Sequence, residues 1–348
     1  MGGQAHLQKL RPAWKDLYAH QTKKYNFQAE PEGFHFALKE LEGAFIMIKN
    51  KEIEYINPSV KDFIAGLILN SNEYTLDVVV TARYFGQILR LWELSRRTGF
   101  ERLPRSLIAT GAQLVDAIAR CVARPFAQRF EFGGRWAEVE FDIIPEARLR
   151  GVITISDDLR SGEVYALTAG CLSEVLSRWD NVIPDFEETV DILTALEEAS
   201  WDRIRNDKAL HEEIRKKMLD NLKHSSQCRD FAYVEEYSKN CQPMFSDEEH
   251  EKFSAGFMNY IRKWFHQDVK ECGYHIGLLH EIGEFLSEMM TKYGYSVRDQ
   301  HDYLMEEIGE LDEIQEQRAE SQLDRWKGNR AFERANSDAI DSMFSSLI

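Results

Sequence analysis

The 348-residue chain carries 59 acidic against 43 basic side chains, a formal charge of −16, with 43% hydrophobic residues. That balance argues against a broad surface for nucleic acid or anionic membrane, and no run approaches the ~18 uninterrupted apolar residues of a membrane span. The first residues lack the basic and apolar parts of a secretory signal, and His6 stands where a myristoylation motif prefers Ser or Thr, so the expected location is the cytoplasm. The five cysteines (Cys121, Cys171, Cys228, Cys241 and Cys272) are scattered, without a Cys-x-x-Cys pair, and predict neither a disulfide framework nor a zinc site.

A first helix is expected over residues 7–18, with Leu7, Leu10, Trp14 and Leu17 on one stripe, followed by a polar linker at 21–30. Pro31 sets a second helix in which Phe34, Leu38 and Leu41 fall at i, i+4 and i+7. Gly43 ends it, because glycine enters the left-handed region that a β-carbon disfavours. Residues 45–49 and 52–56 read as two strands around Asn50-Lys51, Ile53 and Tyr55 alternating with Glu52 and Glu54. Asn57 then caps a helix whose first position is Pro58, where a missing N–H costs nothing. Val60, Phe63, Ile64, Leu67 and Ile68 follow at helical spacing. Phe45, Ile53, Tyr55 and Phe63 are expected to share one core, which makes the cost of Phe63→Ala ~3–5 kcal/mol.

Phe45-Ile-Met-Ile48, a short turn, a strand and then Asn57-Pro58-Ser59-Val60-Lys61-Asp62-Phe63 resemble the winged-helix segment that follows the ATPase core of bacterial STAND-type signalling NTPases. The nearest branch is the novel-STAND group, and the signature positions here are Asn57, Pro58, Ser59, Asp62 and Phe63. The resemblance covers roughly the first fifth of the chain; the helical remainder fits less specifically. It implies a winged-helix module over 1–72 and a non-catalytic regulatory and sensing region without a cofactor of its own. An ATPase core or effector subunit supplied elsewhere and a protein trigger, often from an invading phage, would be the partners. The sequence departs from the family in having no ATPase core: the phosphate loop Gly-x-x-x-x-Gly-Lys-Ser/Thr, whose backbone N–H groups and lysine hold phosphates, occurs nowhere in the chain.

Beyond residue 72 the spacing predicts helices over 76–97, 106–124, 164–179, 186–206, 210–221, 231–239, 246–269, 274–293 and 297–326. They form an irregular, solenoid-like α-helical array over 73–348, without a repeat of fixed length. A small β-hairpin at about 129–144 interrupts it, turning at Gly133-Gly134, and Val152-Ile-Thr-Ile155 is a candidate third strand. The expected fold is thus mainly α: a winged-helix module, then the array with its hairpin.

Candidate chemistry is sparse. Val152 to Asp158 resembles the strand-plus-acids element that holds Mg²⁺ in ATPases, but without a phosphate loop a strand ending in an Asp-Asp turn is the better reading. His280 and Glu284 stand one helical turn apart and suit either a metal or a solvated contact; Ile276, Leu279, Ile282 and Phe285 around them favour a packing helix. No serine or cysteine has the context of a nucleophile, and the chain does not read as an enzyme. The helix that would enter a DNA groove carries Glu32, Glu40 and Glu42 against Lys39, a poor match to phosphate. His20 and His35 could approach a nucleotide on a partner core, although nothing in the sequence singles out either one. Residues 302–324 hold nine acids and one arginine, a net of 1 − 9 = −8, on a helix striped by Leu304, Ile308, Leu311, Ile314, Leu323 and Trp326. That face is either solvated or a dock for a basic partner. Of the large aromatics Trp179, Trp201, Trp264, Phe265, Tyr293 and Trp326, most are expected in the core and some in a sensing groove between the hairpin and the acidic helix. Two other classes stay open: an acidic protein–protein adaptor scaffold, and a winged-helix DNA-binding regulator.

Overall fold

The computed structural model describes residues 4–28, 30, 32–96, 107, 111–132, 135–241 and 243–345. Helices dominate, with a small antiparallel sheet and a separate two-stranded hairpin. Two compact units, residues 1–218 and 219–348, are described in turn.

At the N-terminal end, β1 (Gln4–His6) leads into α1 (Leu7–Tyr25) and α2 (Gly33–Leu41), then β2 (Ile46–Lys49), β3 (Glu52–Tyr55) and α3 (Pro58–Leu69). The hairpin pairs Ile46 with Tyr55 and Ile48 with Ile53. Asn50 and Lys51 are both left-handed, at φ 50° and 68°, which gives a two-residue turn the twist of the strands it joins. Gly43 takes φ 83°, just past the end of α2, and the Asn57 side chain accepts the Ser59 N–H at 2.9 Å, with Pro58 opening α3. These local signals were legible. The third strand was not: β1 is three residues long, and it pairs with β3 to give the order β1-β3-β2.

The shared apolar core expected around Phe63 does not form. Phe63 is 67% exposed and Phe45 46%, Tyr55 is half-buried, and only Ile53, at 7%, is inside. The hairpin is in place, but α3 does not close over it through Phe63. Leu41 likewise leaves its expected core stripe and is exposed. The small core uses Phe34, Ile46 and Ile53 instead, with Trp14 stacked on Tyr18 at 4.3 Å and tilted against Phe34 at 5.3 Å.

Helix α1 runs past its expected end at Tyr18 because the polar residues that follow have a target. His20, Gln21 and Lys24 converge on the Asp77 carboxylate at 2.9, 2.7 and 2.8 Å. Asp77 lies on α4 (Asn72–Thr81) with its side chain 3% exposed. Burial pushes this carboxyl up, and the Lys24 and His20 bonds outweigh it, so Asp77 is held below the usual carboxylate range. A depressed folded pKa stabilises fully above the unfolded value of ~3.9 and is lost as pH falls through the folded one. Urea midpoints are therefore expected to fall below about pH 4, and Asp77→Asn, less stable at neutral pH, is expected to show a flatter acid limb.

The single helix expected at 76–97 breaks between α4 and α5 (Phe85–Ser95). Two groups start α5 there: Gln87 Oε1 accepts the N–H groups of Arg83 at 2.9 Å and Tyr84 at 3.0 Å, and the distant Asp142 accepts those of Phe85 at 2.7 Å and Gly86 at 2.9 Å. A β-carbon on Gly86 would lie 3.2 Å from Asp142 Oδ1 and 3.0 Å from Ile143 Cγ2, so a larger residue would crowd the approach. Helix α6 (Gly111–Val122) and the hairpin β4 (Ala127–Phe132) and β5 (Arg135–Glu140) follow, paired from Ala127↔Glu140 to Phe132↔Arg135. The expected turn at Gly133-Gly134 lies outside the described residues.

Val152–Ile155, expected as a strand, is helical: it falls within α7 (Pro145–Leu159). Leu149, Val152, Ile153 and Ile155 are all fully buried, so α7 is covered on several faces, and a continuous apolar run suits a buried helix as well as a strand. A β-carbon on Gly151 would sit 2.8 Å from the Phe85 ring, so this glycine lets α5 and α7 close together. Packed on α7 are α8 (Gly162–Tyr165), α9 (Thr168–Trp179) and α10 (Phe186–Glu197), and α11 (Asp202–Arg205) and α12 (Lys208–Leu222) follow in the chain.

The second unit holds α13 (Cys228–Asn240), α14 (Asp247–Lys263), α15 (Phe265–Cys272), α16 (Ile276–Tyr293) and α17 (Arg298–Ser345). The helix expected over 246–269 divides at Trp264. Phe231, Phe257, Tyr260 and Phe265 are fully buried and form an aromatic core. Among the described residues no helix is long and apolar enough to cross a membrane.

Candidate protein-interaction surface

Eighteen large apolar side chains are exposed among the described residues, and nine of them lie between Tyr25 and Tyr74. That half of the set falls on about a seventh of the chain, a concentration that makes this stretch the candidate interaction surface. The hairpin base brings three together. The Phe45 N–H bonds to the Leu41 carbonyl at 2.9 Å, and the Ile56 N–H bonds to the Phe45 carbonyl at 3.1 Å, so Leu41, Phe45 and Ile56 are neighbours. Helix α3 adds Phe63 and Leu67 one turn apart, 67% and 45% exposed. Phe36, on α2, is 54% exposed.

The five signature positions divide by role. Asn57 caps α3, Pro58 occupies its first turn, and Ser59 supplies the capped N–H. Asp62 and Phe63 face solvent on the helix those three start. Exposed charge nearby is mixed, with Glu40, Glu42, Glu52 and Asp62 against Lys39, Lys49 and Lys51, which is not the basic face a duplex requires. With Phe63 in solvent, Phe63→Ala is expected to change stability by less than about 0.5 kcal/mol, measured by urea unfolding, in place of the cavity cost that burial would have carried.

The other candidates resolve into structure. Asp157 accepts the N–H groups of Ser200 at 3.0 Å and Trp201 at 2.6 Å, and Asp158 accepts the Trp92 indole N–H at 2.7 Å. Both acids of the supposed Mg²⁺ element thus tie helices together, and neither stands at the end of a strand. His20 is held by Asp77, while His35 lies exposed on α2 beside the Phe34 ring. His280 and Glu284 occupy the outer face of α16, whose inner face buries Leu279, Ile282 and Phe285. No group of three or more potential metal ligands occurs among the described residues. Trp179 and Phe265 are core, Trp201 and Trp264 half-buried, and Tyr293 and Trp326 are 42% and 52% exposed.

On α17, Leu304 and Ile308 are buried, Leu311 is half-buried, and every residue from 312 to 322 is exposed. The acidic segment is therefore a helix without a packed face over that stretch, although its apolar stripe had suggested one. Sequence reasoning also missed a cavity in the second unit built around the nearly buried Asp268. Its only signal was a carboxylate set one position before Val269 on a short amphipathic helix.

No protein-family model, no curated protein and no solved structure matches the chain.

Proposed function

We propose that this chain is a non-catalytic regulatory and sensing region of a STAND-type signalling NTPase, in bacterial signalling or anti-phage defence, whose N-terminal module docks on an ATPase core supplied elsewhere. The observation that carries the docking is the exposed apolar set of Leu41, Phe45, Ile56, Phe63 and Leu67. Such side chains form the centre of protein interfaces once a partner removes them from water. The link to STAND proteins rests on the resemblance of residues 45–63. Asp62 and Phe63 are exposed, and for Phe63 this departs from the core position expected of a winged-helix module. The chain supplies neither nucleotide site nor catalytic group in this reading, and the cytoplasm is where it acts.

The test is to express the chain with the ATP-binding module encoded in frame with it or beside its gene. Co-elution is expected, and Phe63→Asp with Leu67→Asp is expected to abolish it while leaving the far-ultraviolet spectrum intact. Calorimetry should register no ATP binding to the chain alone. Neighbouring DNA without any phosphate loop, or co-elution indifferent to the double substitution, would refute the reading.

A second reading, an acidic adaptor scaffold, draws on α17. Its segment 302–324 has one arginine among nine acids, and 312–322 is exposed on all sides. A basic partner would bind there with an affinity that falls steeply as salt rises.

A further inference from the structure

We propose that the cavity enclosed by α13, α15 and α16 binds a small organic amine, an ammonium group carried on an apolar body. The cavity measures about 370 Å³, within the ~300–1,000 Å³ of small-molecule sites. Ala232, Leu278, Ile282 and Phe285 supply apolar walls. Asp268, 8% exposed, is the buried charged group of its lining. One carboxylate oxygen, Oδ2, accepts the Cys228 N–H at 2.7 Å, at the start of α13, and the Tyr260 hydroxyl at 2.8 Å. The other, Oδ1, accepts no hydrogen bond among the described residues, and it is not sealed inside the protein.

A carboxylate so little exposed, with one oxygen unused by the protein and open to the cavity, is placed to take a donor from a ligand. Burial pushes the Asp268 carboxyl up, the direction a half-satisfied acid takes. The remaining charge of the lining selects the sign of the ligand. Asp268, Glu271 and Glu281 face Arg229, a net of 1 − 3 = −2, so a cation is favoured over an anion. Glu271, Glu281 and Arg229 are exposed where Asp268 is buried, which places them at the mouth. An ammonium would donate to Oδ1 while its apolar body lies against Leu278, Ile282 and Phe285. Because this cavity lies wholly within residues 219–348, the inference stands or falls apart from the docking surface at 36–67.

Cys272 provides the reporter. It lines the cavity and is the one cysteine that is not buried. The full chain is treated with N-ethylmaleimide while 2-phenylethylamine is titrated, and modification of Cys272 is followed by peptide mass spectrometry. The amine is expected to slow modification saturably, by about fivefold at a concentration several times its Kd. 2-Phenylethanol, with the same body and no charge, should leave the rate within a factor of about two. Asp268→Asn should lose the amine's protection. Should that variant not fold, Leu278→Arg, at a position 41% exposed, puts a guanidinium at the site and should block the amine equally. Absence of saturable protection, equal protection by the alcohol, or protection retained in folded Leu278→Arg would overturn the proposal.

Discussion

Asp142→Ala is expected to lower the stability of the first unit by about 3–5 kcal/mol, the cost of leaving a buried charge without its partner. The Asp142 side chain is 3% exposed and that of Arg148 is 1% exposed, with Arg148 Nη2 donating to Asp142 Oδ2 at 2.9 Å. Removing the carboxylate strips Arg148 of its close acid; the Arg124 carbonyl at 2.7 Å and Glu174 at 3.7 Å remain. It also orphans the N–H groups of Phe85, Gly86 and Ile143. Arg148 Nε already lacks a partner, so the site has little reserve. Urea unfolding followed by the fluorescence of the buried Trp92 and Trp179 reads the loss. Adding Arg148→Met to the alanine variant is expected to recover part of it, because the second substitution removes the stranded charge. A single substitution costing less than ~1 kcal/mol would show that Asp142 does not organise the start of α5.

Phe257→Ala should cost the second unit about 3–5 kcal/mol through the cavity it leaves. The ring is fully buried and has aromatic neighbours on several sides: Phe231 at 5.7 Å, Phe285 at 5.8 Å edge-on and Tyr295 at 5.2 Å edge-on. Aromatic pairs in these geometries add to the burial term, so truncation loses both. Phe257→Leu keeps most of the volume and is expected to cost clearly less. Near-ultraviolet circular dichroism during urea unfolding separates the two variants. Equal midpoints for Phe257→Ala and the parent would mean that this cluster does not hold the unit.

Residues whose conformation depends on near neighbours were read correctly. Asn50-Lys51, Gly43, Asn57 and Pro58 each act within a few positions of themselves, through left-handed backbone or a capped N–H, and all four appear as read. The hairpin near 129–144 followed from simple alternation, and its strands are Ala127–Phe132 and Arg135–Glu140. Burial was harder. Phe63 and Ile53 look alike in a hydrophobic pattern, yet one is 67% exposed and the other 7%. Periodicity reports which residues are apolar, while the partner that covers them lies elsewhere in the fold or in another molecule. The exposed face of the candidate surface is therefore invisible in the sequence, although Leu41, Phe45, Phe63 and Leu67 stand out there as apolar.

The amino-acid sequence by itself determined a mainly helical protein, a hairpin between residues 45 and 56 and a capped helix at 58, because turn, cap and period are local properties of the chain. Only tertiary structure decided that Val152–Ile155 is helix, that α4 and α5 part at Ala82, and that His20 belongs to Asp77. Each of those outcomes depends on a group many residues away or on burial from several sides at once. Asp142 bonds the start of α5 from 57 residues on, and the α1 bonds to Asp77 span 53 to 57. Such a bond forms only when the fold has brought its two ends together, and no spacing along the chain records it.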